Sequence, residues 1–88
     1  MEIQLLTKDN CAFCEDAKGM LDRLSAEYGF SVRTIRLDGT DGQALAERAG
    51  VMFPPGILID GEPFSYGRLS EKKLRRELDR RIGIVRGA

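Results

Sequence analysis

The apolar positions of this chain alternate between a period of two and a period of about 3.6 residues, and each switch marks an element. Residues 2–7, with Ile3, Leu5 and Leu6 apolar, predict a first strand. From Ala12 to Tyr28 the positions Phe13, Ala17, Leu21, Leu24 and Tyr28 recur at helical spacing, and Gly29 is the expected C-cap. Gly19 inside that helix costs about 1 kcal/mol relative to alanine. Ser31 to Leu37 alternates through Val32, Ile35 and Leu37 and predicts a second strand. Asp38-Gly39-Thr40 reads as a turn, after which Asp41 is expected to cap a short helix from Gly42 to Ala49, ended by Gly50.

The second half carries the clearest local signal. Asp60-Gly61 lies between two strand-like runs, Ile57-Leu58-Ile59 and Glu62-Pro63-Phe64, which is the favoured sequence for a two-residue hairpin. Pro63 has no N–H for a ladder, so its strand is expected at a sheet edge. Ser70 should cap a last helix whose apolar stripe is Leu74, Leu78 and Ile82, with Leu69 packing on Leu74 as a staple. The order is β-α-β-α-β-β-α. Its first βαβ unit should be parallel with a right-handed crossover, and the hairpin should be antiparallel.

Composition narrows the class. Eighty-eight residues fit one domain, 1–88, and a 42% apolar fraction suffices for one small core. Net charge is zero, so no nucleic-acid or membrane-surface partner is expected. The first 44 residues carry −3 and the last 44 carry +3. The basic residues of the last helix are interleaved with acids at helical pairing distance, Glu71 with Arg75 and Glu77 with Arg81, as on a solvated face. No apolar run reaches membrane-spanning length, and no basic-then-apolar leader opens the chain. A cytoplasmic, monomeric protein is the expectation.

The candidate chemistry lies in Asp9-Asn10-Cys11-Ala12-Phe13-Cys14, which holds the only two cysteines of a chain without histidine. The pair sits where the first strand meets the first helix. A helix N-terminus offers unpaired N–H groups and partial positive charge, and both stabilise a thiolate, the form of cysteine that attacks a disulfide. Cys11 is therefore the candidate nucleophile, and Cys14 lies one turn on, close enough to close a ring with it. A four-ligand zinc site would need two more Cys or His ligands, which the chain lacks. A metal cluster bridged between two chains and a pair of unreactive thiols remain as alternatives. Lys8 favours a thiolate at Cys11, whereas Asp9, Glu15 and Asp16 oppose it. Phe13 is expected to form an apolar rim that leaves Cys11 accessible.

This element order, with the cysteine pair at the first strand–helix junction, resembles the thioredoxin fold in its glutaredoxin-sized form over nearly the whole chain. That resemblance implies an α/β domain with a four-stranded mixed sheet and three helices. In the first half, Thr7-Lys8, then Cys11-Ala12-Phe13-Cys14, Ala17-Lys18 and Leu21 are similar to the glutaredoxin run Ser-Lys-x-x-Cys-Pro-Tyr-Cys-x-x-Ala-Lys-x-x-Leu. In the second half, Gly50-Val51-Met52-Phe53-Pro54-Pro55 resembles the thioredoxin run that ends in a cis-proline facing the active site. Tyr66-Gly67-Arg68-Leu69-Ser70 with Leu74 and Leu78 resembles the thioredoxin ending.

The resemblance implies a thiol–disulfide oxidoreductase in which Cys11 attacks and Cys14 resolves the mixed disulfide. It gives Lys8 a place beside the thiolate and near a glutathione carboxylate, and Pro55 the cis-proline position. The chain departs from both patterns. Pro54, before the cis-proline, lacks the N–H that normally receives an extended substrate. The Gly-Gly-x-Asp motif of glutaredoxins is absent, Leu5 stands where thioredoxin has a buried carboxylate, and Asn10 replaces its active-site tryptophan. Lys8, Phe13, Pro54 and Pro55 are the expected substrate-binding residues. Disulfide-bearing proteins or small thiols are the expected substrates, with no bound cofactor and either glutathione or a cellular reductase as reductant. A glutaredoxin proper, or a non-catalytic protein bridging an iron–sulfur cluster through Cys11, is the alternative.

Overall fold

In a computed structural model that describes residues 1–82, the elements run β1 (Glu2–Thr7), α1 (Ala12–Tyr28), β2 (Ser31–Arg36), α2 (Thr40–Ala49), β3 (Gly56–Ile59), β4 (Glu62–Tyr66) and α3 (Glu71–Ile82). The last six residues of the expected 1–88 domain lie outside the described residues. The strands form one sheet in the order β2-β1-β3-β4, with β1 parallel to β2 and antiparallel to β3, and β3 antiparallel to β4. This is the expected four-stranded mixed sheet with three helices.

Alternation along β1 and β3 divides the core. Ile3, Leu5, Ile57 and Ile59 join Ala17, Leu21 and Leu24 of α1 and Leu74 and Leu78 of α3 in one buried cluster, so two helices cover one face. On the other face, Leu45 and Arg48 of α2 share clefts with Gln4, Ile35 and Leu58. The hairpin turn holds Asp60 at φ 49° and Gly61 at φ 83°, the pair of positive angles that a two-residue turn needs. Pro63 lies on edge strand β4 beside a register shift, where a missing ladder donor does least harm. Ser70 accepts the Lys73 N–H at 3.2 Å and caps α3, and Leu69 and Leu74 are both in the core.

Four boundaries differ from the sequence reading, the simplest being that β3 begins at Gly56 rather than Ile57. α2 begins at Thr40 rather than Gly42, with Gly39 at its N-cap and no side-chain cap from Asp41, which lies in the first turn. The cause is Gly42. A Cβ built there would stand 1.8 Å from the Arg36 carbonyl oxygen, so only glycine lets this turn press onto the end of β2. β2 stops at Arg36, one residue before Leu37, whose N–H still bonds the Thr7 carbonyl at 2.8 Å. β4 continues past Phe64 to Tyr66, because Ser65 pairs with Ile57 and Tyr66 with Gly56.

Candidate active site

The sheet register gathers four chain segments at one end. β1 and β2 end side by side at Thr7 and Arg36, while the pairing of Leu6 with Gly56 and of Gly56 with Tyr66 brings the starts of β3 and of the β4–α3 connection to the same end. Cys11 and Cys14 therefore share that end with Asp38, the Met52–Pro55 loop and Gly67. The cysteines form a disulfide with Cα atoms 5.2 Å apart. Cys11 is the N-cap of α1, extended at φ −124° and ψ 104°. Its Sγ accepts the Cys14 N–H at 3.2 Å, and its carbonyl accepts the N–H groups of Cys14 and Glu15, each at 3.1 Å. Cys14 is 1% exposed and belongs to the interior, whereas Cys11 is half-buried. Cys11 is thus the more accessible residue of the pair, and the hydrogen bond its sulfur receives in the disulfide is one that a thiolate at that place would also accept.

The loop before Cys11 is tied down from β2. Arg36 donates to both oxygens of Asp9, each at 3.0 Å, and to both oxygens of Asp38 at 3.0 and 2.8 Å. Its hydrogen bonds hold the carboxyls of Asp9 and Asp38 below their ordinary range; Lys8 adds a smaller pull on Asp38. Between Asp9 and Cys11, Asn10 adopts a left-handed φ of 55°, which a short polar side chain tolerates.

Opposite this loop, the Pro54–Pro55 peptide bond is cis, as the resemblance led us to expect. The Pro55 ring is buried and its carbonyl accepts the Gly67 N–H at 2.8 Å. Phe53 packs edge-on against Tyr66, with ring centroids 5.0 Å apart. Its ring also lies over Gly67, where a Cβ would come within 2.7 Å of Cε2. Lys8, Asp9, Leu37, Asp38, Met52 and Pro54 are among the residues that line an open cleft of about 450 Å³. Phe13 is 47% exposed on the other side, in a cleft with Met20, Arg68 and Leu69.

The structure thus brings Lys8, Cys11, Phe13, Cys14, Pro54 and Pro55 to one end of the sheet, with Pro55 and Cys14 turned inward and Lys8 and Phe13 exposed. Sequence reasoning treated Asp9 as an uncompensated charge and missed Arg36, 27 positions away. The parallel pairing of Thr7 with Arg36, implicit in a βαβ unit, is the signal that joins them. Met52 and Phe53, 75% and 57% exposed, were also missed, because their run was read only for its prolines. Among the described residues, no group of three or more His, Cys, Asp or Glu could hold a metal ion.

Fold and cysteine pair together define a thioredoxin-fold protein of redox type. Residues 2–79 match the glutaredoxin-like domain family (DUF836), and the chain belongs to it. It is 34% identical over 82 residues to the uncharacterized protein Rv0508 of Mycobacterium tuberculosis, a match that covers 90% of this chain and 84% of that protein. Two solved structures share the fold. A mutant thioredoxin from Halobacterium salinarum superposes with a TM-score of 0.70 at 24% identity, covering 90% of this chain and 72% of that one. A thioredoxin-like protein from Clostridium perfringens gives 0.71 at 21% identity, covering 90% and 68%.

Proposed function

We propose that this protein is a thiol–disulfide oxidoreductase that reduces protein disulfides, with Cys11 as nucleophile and Cys14 as resolving thiol. The observation that carries this reading is the asymmetry of the pair: Cys11 caps the helix, is only half-buried and accepts a backbone N–H at its sulfur, while Cys14 is buried. The Cys11 thiolate attacks a substrate disulfide, forming one S–S bond and expelling a substrate thiolate. The Cys14 thiol, giving up its proton, then attacks Cys11 and releases the second substrate thiol, leaving the intramolecular disulfide. Two electrons and two protons from a cellular dithiol, from glutathione or from a flavoprotein reductase restore the pair.

Two features favour proteins over glutathione as substrate. Pro54 offers its carbonyl but no N–H, a loss that a tripeptide with few other contacts offsets less well than a polypeptide does. Exposed Phe13, Met52, Phe53 and Tyr66, all at this end of the sheet, give a polypeptide apolar contact that a small charged tripeptide does not need. Lys8 is the remaining side-chain cation in the cleft for a carboxylate. The test is to mix reduced protein with a disulfide-bearing protein and count thiols released. Wild type should transfer two electrons per chain, Cys14→Ser should stop at a mixed disulfide, and Cys11→Ser should be inert. Activity retained by Cys11→Ser would overturn the assignment. Separate re-reduction assays with glutathione and with a flavoprotein reductase identify the electron donor.

A further inference from the structure

Asp9 stands two residues before Cys11, and nothing in its immediate sequence keeps its carboxylate away from the thiolate. Aspartate is among the best helix-capping residues, so a free Asp9 would compete with Cys11 Sγ for the N–H groups at the start of α1. The structure shows the carboxylate drawn instead toward β2, in a two-bond fork with Arg36. The same guanidinium grips Asp38 with two more bonds. Four of its donor contacts thus join the β1–α1 loop to the β2–α2 turn. Arginine suits this place because its planar fork meets two carboxylates at once, which a lysine ammonium does not.

We propose that Arg36 is a positioning residue for thiol–disulfide exchange: by pinning Asp9 against the end of β2, it keeps that carboxylate off the helix N-terminus and leaves the Cys14 N–H to Cys11. This rests on the oxidoreductase reading of the same site and names the device that sets its nucleophile. The charged groups on the segments that meet at this end are Lys8 and Asp9 in the loop before Cys11, Glu15, Asp16 and Lys18 on α1, Arg36 at the end of β2, Asp38 just after it, and Arg68 before α3. The Met52–Pro55 loop contributes none. Of these charged groups, Arg36 is the one bonded to Asp9.

The test is the pH dependence of Cys11 alkylation in the reduced protein, followed by peptide mass spectrometry. Arg36→Gln should raise the midpoint by about half a pH unit and slow alkylation about threefold below it. Arg36→Lys keeps the charge but not the fork, and should shift in the same direction. Arg36→Gln combined with Asp9→Asn should lose most of the shift that Arg36→Gln shows alone. A wild-type midpoint in Arg36→Gln overturns the inference. So does a wild-type midpoint in Arg36→Lys, or an equal shift with and without Asp9→Asn, because each makes Arg36 a simple charge. A Cys11 that resists alkylation in the wild type overturns the oxidoreductase reading itself, a result distinct from any of these.

Discussion

At the scale of single residues, the site is set by what backbone atoms can offer. Cys11 takes its hydrogen bond from the Cys14 N–H because it is the N-cap, where a short side chain with an acceptor atom is placed to do so. Pro54 works in the opposite sense by removing a donor. Pro54→Val restores that N–H, and one net hydrogen bond of about 0.5–1.5 kcal/mol corresponds to roughly three- to tenfold in affinity. We expect that gain in the KM for a glutathione mixed disulfide, with little change for a protein substrate that also uses the apolar rim. An unchanged KM would mean that the missing donor is not what disfavours glutathione.

At the scale of elements, two glycines with opposite surroundings separate constraint from tolerance. Gly42 lets α2 start against the end of β2, and a Cβ there would collide with backbone that cannot move aside. Gly42→Ala should destabilise by about 1–3 kcal/mol or more, as overpacking does. Gly19 has nothing within 4 Å of a built Cβ, so Gly19→Ala should stabilise by about 0.5–1 kcal/mol. Urea midpoints of the two variants should move in opposite directions, and a stabilising Gly42→Ala would contradict the packing described. These glycines also show what was legible in the sequence. The span of α1, the Asp60-Gly61 turn, the Ser70 cap and the pairs Glu71–Arg75 and Glu77–Arg81 all follow from local rules, and the structure contains each of them. The start of α2 was misplaced because it depends on the Arg36 carbonyl, a contact between elements that no local period encodes. Arg36 was missed for the same reason: its importance arises from Asp9, brought near only by the fold.

At the scale of the whole molecule, the described helices include none long and apolar enough to cross a membrane, and the surface is laced with ion pairs. Arg75 joins Glu27 of α1 to Glu71 of α3, Arg23 reaches Glu71, and Arg81 reaches Glu62 of β4. These pairs are exposed or partly exposed, so each contributes little alone and weakens with salt. Their pH signature is nevertheless definite. Hydrogen bonds from arginines lower the carboxyls of Asp9 and Asp38 from 3.8 and those of Glu71 and Glu77 from 4.5. Each group therefore binds its proton more readily when unfolded. Its contribution is complete above the unfolded value and is lost as pH falls through the lower folded one. The urea midpoint should hold steady from pH 7 to about 5 and decline below about 4.5. A midpoint that fell instead between pH 7 and 5 would contradict this account.

The fold brings the two cysteines to one end of the sheet, with Cys11 half-buried and Cys14 buried. The most direct test is limiting alkylation of the fully reduced protein at pH 7, read by peptide mass spectrometry. The account predicts that Cys11 is labelled first and Cys14 only after unfolding; labelling of Cys14 first, or of both at equal rates, would contradict it.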